Sequence, residues 1–161
     1  MKITLGTGLG TAHHRGRNAF NELACSPGVL LEVLEQRLGL SGERPSQGRR
    51  IAAYRRALER RLEGGETFYA ESFHRDPFGV AETLLGWRDE LLLNGLEFSE
   101  AAIGSGRIDC LREVEKGFDP VFRSSEGERV RQVTEQNISS NSGVEDLQIL
   151  DPQEWLSFRW Q

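Results

Sequence analysis

The stretch from Asp76 to Gly95 constrains the fold more than any other part of the chain. Asp76 is a good helix N-cap, and Pro77 suits the first helical position because its missing N–H is not needed there. Asn94-Gly95 supplies a helix stop. Between these signals Val80, Leu84, Trp87 and Leu91 recur at helical spacing, and Ala81, Leu85 and Leu92 widen the stripe. An apolar surface that broad has to be buried over much of the helix circumference. The pattern therefore predicts a central core helix, with Trp87 as one of its core residues.

Other elements arrange themselves around that helix. Met1–Leu5 reads as a strand leading into the glycine-rich loop Gly6-Thr-Gly8-Leu-Gly10, and Phe20–Cys25 reads as a second short strand. Ser26-Pro27 opens a helix carrying Leu30, Leu31, Leu34 and Leu38, which Gly39 ends. A helix follows from about Gly48 to Leu62, with Ile51, Tyr54, Leu58 and Leu62 as its stripe and Gly64-Gly65 as its stop. Shorter helices are expected over Ile108–Val114 and Glu128–Gln136. A polar loop is expected over 137–143, a strand at Leu147–Leu150, and a last helix from Asp151-Pro152 that presents Trp155, Leu156, Phe158 and Trp160. The class implied is a helix-rich α/β module, with an α/β part formed by residues 1–40 and 141–161 and a helical insertion over 41–140. An aromatic face with nothing left to cover it suggests a fragment of a longer chain.

The 161 residues can bury a core without disulfides or metals. Cys25 and Cys110 fit no metal or redox spacing and read as buried free thiols in a reducing cytoplasm. No stretch reaches the roughly 18 apolar residues of a membrane helix. The net charge of −5 argues against a surface built to coat nucleic acid, though it leaves room for a local basic face.

Catalytic constellations are not found. After Gly6 and Gly8 a dinucleotide fingerprint would need glycine at position 11, which is Thr11. A phosphate-cradling loop would need a lysine, and none occurs between Lys2 and Lys116. His13-His14, with His74 and Cys25 as the only partners, form a poor ligand set and read as solvated loop histidines. Three histidines and no Gly-x-Ser-x-Gly make a nucleophile triad improbable. Asp109, Glu113 and Lys116 approach a nuclease metal set, but with the wrong spacing and on a helix. No catalytic residue, metal or cofactor is therefore expected. Asp89-Glu90 reads as a solvated edge.

Two features could touch nucleic acid. Between Arg44 and Leu62 stand seven arginines against a single acid, Glu59. Arg49, Arg56 and Arg60 share one helical face that could follow a phosphate backbone, with Arg50 beside them. The alternative is a solvated face paired with acids elsewhere. Ile103-Gly-Ser-Gly106 faintly resembles the glycine hairpin of helix-hairpin-helix DNA binders, although an ordinary interhelical turn explains it equally well.

The chain also resembles a family. Ser26-Pro-Gly-Val-Leu-Leu-Glu-Val-Leu-Glu-Gln-Arg-Leu-Gly-Leu40, Phe68-Tyr-Ala-Glu-Ser-Phe-His-Arg-Asp-Pro-Phe-Gly79, Leu85-Gly-Trp-Arg-Asp-Glu-Leu91 and Leu150-Asp-Pro-Gln-Glu-Trp155 are similar, in order, to the N-terminal region of bacterial PD-(D/E)XK nuclease family proteins and inactivated superfamily I helicases of the AddB-like kind. The resemblance implies a small helicase-like sheet in which the Ser26-Pro-Gly turn stands where an active helicase keeps its phosphate loop, with Val-Leu in place of Lys-Ser/Thr. It implies a non-catalytic scaffold that holds or scans DNA during repair, beside a nuclease domain lying further along the chain and a possible helicase partner subunit. DNA binding would be weak and sequence-independent, through Arg49, Arg50, Arg56 and Arg60. The competing expectation is a small stand-alone helical protein-interaction domain that docks through its C-terminal Trp-rich helix.

Overall fold

The computed structural model describes residues 1–9, 21–98, 106–139 and 143–160. In chain order its regular elements are β1 (Lys2–Leu5), β2 (Glu22–Cys25), α1 (Pro27–Arg37), α2 (Gln47–Glu63), α3 (Ala70–Arg75), α4 (Pro77–Leu93), α5 (Gly106–Gly117), α6 (Glu126–Ser139) and β3 (Asp146–Ile149), with short 3-10 turns between some of them. The protein is thus a helix-rich α/β chain, with six helices and one small parallel sheet among the described residues. No described helix is long and apolar enough to cross a membrane.

The chain forms two compact units, one made of Met1–Gly42 with Arg129–Gln161 and the other of Glu43–Glu128. In the first, the strand order is β2-β1-β3, all parallel. Ile3, Leu5, Cys25 and Leu30 form the core under this sheet, while Leu31 of α1 packs with Val130 and Val133 of α6. Glu35 is buried on α1 and holds Arg129 of α6 by two parallel bonds of 2.8 Å. A buried carboxylate is tolerated when a guanidinium fork meets both of its oxygens.

α1 and α4 end in the same way. Gly39 and Gly95 take left-handed backbone angles (φ +71 and +88). The following amides of Leu40 and Leu96 return to the carbonyls of Glu35 and Leu91, which is the Schellman closure expected of such glycines. The start of α4 is also as expected, because Asp76 accepts the Gly79 N–H at 2.9 Å with Pro77 in the first turn.

The apolar face of α4 is different from the one expected. Its buried residues are Ala81, Leu84, Leu85, Arg88 and Leu92, whereas Trp87 is 45% exposed. The buried stripe is rotated by about one residue and centred on an arginine. A hydrophobic pattern treats arginine as outward-facing, and for that reason it assigns Trp87 to the core. The last expected helix is also absent. The segment folds as two 3-10 turns, Gln153–Trp155 and Phe158–Trp160, and between them the extended backbone of Leu156 carries its side chain into the interior. A helix this short gains little without a buried face, and burying Leu156 takes precedence. Trp160 is half-buried against the sheet core.

The core of the second unit gathers Tyr54 and Leu58 of α2, Leu84 and Leu85 of α4, Val114 of α5 and Phe118. The Tyr54 and Phe118 rings meet edge to face with centroids 5.1 Å apart, the arrangement the ring quadrupoles favour. The Tyr54 hydroxyl is buried and makes no hydrogen bond among the described residues. Removing an unsatisfied buried hydroxyl is neutral or favourable. Tyr54→Phe is accordingly expected to leave stability unchanged or raise it by up to about 1 kcal/mol in urea unfolding. A decrease larger than that would mean the hydroxyl has a partner.

Candidate functional site

The four arginines singled out in the sequence divide into one anchor and three surface groups. Arg50 is only 7% exposed. Its Nη2 meets both oxygens of Asp89 at 2.7 and 2.9 Å, Nε donates to the Phe122 carbonyl at 3.2 Å, and Nη1 donates to Gln47. A guanidinium engaged in this way pins α2 to α4 and is not available to a phosphate, so Arg50 drops out of the expected DNA-contacting set. Arg49, Arg56 and Arg60 are exposed. Arg49 lies 6.0 Å over the Phe122 ring, and Arg60 donates to the carbonyls of Arg56 and Gly117 at 3.3 and 2.5 Å. Arg56 and Arg60 line one side of an open cleft of about 440 Å³, where Glu59, Glu63 and Asp119 also stand. These carboxylates offset part of the positive charge.

Beneath this face lies a charged cluster that sequence reasoning missed. Arg88 is fully buried. It donates to Glu115 on α5 at 2.7 and 2.8 Å, to Glu128 on α6 at 2.6 and 3.3 Å, and to Asp89 at 2.9 Å. Its guanidinium carbon also stacks 5.0 Å over Phe118. Arg123 adds a second cation 3.2 Å from Glu115. Three arginines (Arg50, Arg88 and Arg123) therefore meet three carboxylates (Asp89, Glu115 and Glu128), which is how charges become tolerable in an interior. Burial on its own would push the Glu128 carboxyl up. The bonds and charge of Arg88, helped by the donors of Ser125, outweigh it and hold Glu128 below the usual carboxylate range. Ser125 and Glu128 also form a reciprocal capping box at the start of α6. The sequence offers one signal for this cluster, Asp89, and its place beside Glu90 gives it the pattern of a solvated edge.

Other candidates find ordinary places. Asp109 pairs with Arg112 at 3.2 Å and Glu113 with Lys116 at 2.7 Å, all along α5. His74 is exposed on α3, with Nδ1 2.6 Å from the Ala70 carbonyl oxygen. Among the described residues no group of three His, Cys, Asp or Glu could hold a metal ion. Cys25 and Cys110 are free and buried, and burial pushes both thiols up, away from the thiolate form. His13, His14, Gly10, Thr11 and residues 103–105 of the glycine hairpin lie outside the described residues.

Two further surface features involve other residues. At the carboxyl end of β1 the loop turns at Thr7, whose N–H is accepted by the Asp151 carboxylate. On the second unit, Phe68, Trp87, Leu91, Ile108 and Leu111 line a cleft of about 430 Å³. Phe68 and Trp87 are 41% and 45% exposed, and Arg107 stands 5.6 Å over the Phe68 ring. The chain matches no protein-family model, no curated protein and no solved structure.

Proposed function

We propose that this chain is a non-catalytic scaffold module of a DNA-repair helicase–nuclease protein, working in the cytoplasm and touching DNA through backbone phosphates alone. The observation that carries the reading is the row Arg49, Arg56 and Arg60 on the outer face of α2, a helix anchored from beneath by Arg50. A fixed helix can present guanidinium groups to a phosphate backbone at a low ordering cost. Asp151 supports the non-catalytic part, because a carboxylate occupies a backbone donor at the strand end where a nucleotide phosphate would need donors. The buried thiols suit a reducing compartment.

The acids beside Arg56 and Arg60 weaken the binding, so affinity is expected to be no better than about micromolar and independent of sequence. In a salt titration of single-stranded and duplex DNA binding, every arginine withdrawn from a phosphate should flatten the log–log slope by roughly 0.7 to 0.9. A folded variant with Arg49, Arg56 and Arg60 reversed in charge should show a shallower slope. Equal affinity and slope for the two proteins would overturn the DNA-binding assignment.

A second reading, a protein-interaction domain, is favoured by the open aromatic cleft around Trp87 rather than by the C-terminal tryptophans. Trp87→Ala that abolishes binding to a protein partner while leaving DNA binding intact would separate the two readings.

A further inference from the structure

The outer edge of β3 pairs with no strand among the described residues. The Lys2 and Gly6 amides donate to Asn21 and Cys25 beside β2, whereas the Leu150 amide donates to Leu5. This phase, alternating along the strands, points the N–H and C=O groups of Gln148 and Leu150 toward β1 and those of Leu147 and Ile149 outward. Among the described residues no strand pairs with them. Register places Leu147 and Ile149 in the same rows as Ile3 and Leu5, which are buried. Yet Leu147 is 46% exposed, so the covered face of the sheet continues past its own cover. The strand itself, Asp146-Leu-Gln-Ile149, holds no proline or lysine and pairs with β1 without a bulge, although it is short and carries one acid. On the opposite face the register sets Glu22, Lys2 and Asp146 side by side, so charge alternates across the sheet and ends on an acid.

We propose that the β3 edge binds an extended segment of a partner protein as a fourth strand. The partner segment carries a basic residue beside Asp146 and apolar residues beside Leu147 and Ile149. Main-chain bonds to the two outward amides supply the attraction, the half-exposed Leu147 gains cover, and the basic residue continues the charge row. A second copy of this chain fits less well, because its own β3 carries an acid, Asp146, and no basic residue to continue the charge row. The inference is independent of the arginines of α2.

The test uses the whole chain, labelled for amide exchange, with the capped pentapeptide Lys-Val-Thr-Val-Thr as the probe at about 1 mM, a concentration suited to weak binding. In the chain alone the Leu147 and Ile149 amides should exchange as open groups while Gln148 and Leu150 are protected. The probe should slow Leu147 and Ile149 by about tenfold, as closure of an open edge would, and the probe with Glu in place of Lys should do less. Asp146→Lys, an exposed change that leaves the ladder intact, should reverse that preference. Leu147→Pro removes an outward N–H together with the half-exposed side chain and should abolish the slowing at Ile149. Three results would overturn the proposal: no slowing by the probe, outward amides already protected in the dilute chain, or protection that rises with the concentration of the chain alone and so assigns the edge to a second copy.

Discussion

Arg88→Met is expected to cost about 3–5 kcal/mol in the urea midpoint, with the slope unchanged, the range for removing one partner of a buried ion cluster. The change leaves Glu115 and Glu128 facing an interior that no longer offers a cation between them. Arg88→Lys should fall in between, because an ammonium keeps the charge but cannot present a planar fork to two carboxylates at once. The pH dependence carries the same information. In the parent, Glu128 is held below its ordinary value of 4.5, so its contribution is complete above that pH and is lost as pH falls further. Without Arg88 only the Ser125 donors oppose burial, so the Glu128 carboxyl moves up from its position in the parent. As pH falls below the ordinary carboxylate value, Arg88→Met should therefore lose less stability than the parent does. A cost below about 1 kcal/mol, or an equal acid-dependent loss in the two proteins, would show that Arg88 is not the hub of this core.

Gly127→Ala should be the second large effect, and in the direction opposite to helix propensity. On propensity alone an alanine in a helix is worth up to about 1 kcal/mol over glycine. A Cβ on Gly127, however, would stand 2.7 Å from the Leu92 carbonyl carbon and the Leu93 nitrogen, and 2.9 Å from the Leu93 Cα. Those atoms are the backbone of the last turn of α4, which cannot swing aside as a side chain does. The expected cost is about 3 kcal/mol, at the upper end of what overpacking brings. Gly86→Ala is the matched control, since nothing lies within 4 Å of its added carbon. It should stabilise by roughly 0.5–1 kcal/mol. If both changes shifted stability the same way, the close approach of Gly127 to the last turn of α4 would be refuted.

The sequence alone determined the elements whose signals are local. The Asp76 cap, Pro77, and the left-handed glycines at 39 and 95 need only nearby backbone, so α1 and α4 begin and end close to where they were expected. The stripe of α2 was legible for the same reason: Tyr54 and Leu58 are buried as the spacing predicts. Tertiary structure decided what depends on a partner distant in sequence. Arg88 is interior because Glu115 and Glu128, 27 and 40 residues away, supply matching carboxylates. No helical pattern records that pairing, and Trp87 is left at the surface as a result. Arg50 is indistinguishable in sequence from its neighbours as a candidate phosphate ligand, and only Asp89 on another helix sets it apart. In the C-terminal segment, burial of Leu156 overrode a helical signal too short to persist by itself. Hydrophobic periodicity reports which side chains avoid water, whereas a buried charge is placed by where its counter-charge stands, and that is known only once the chain has folded.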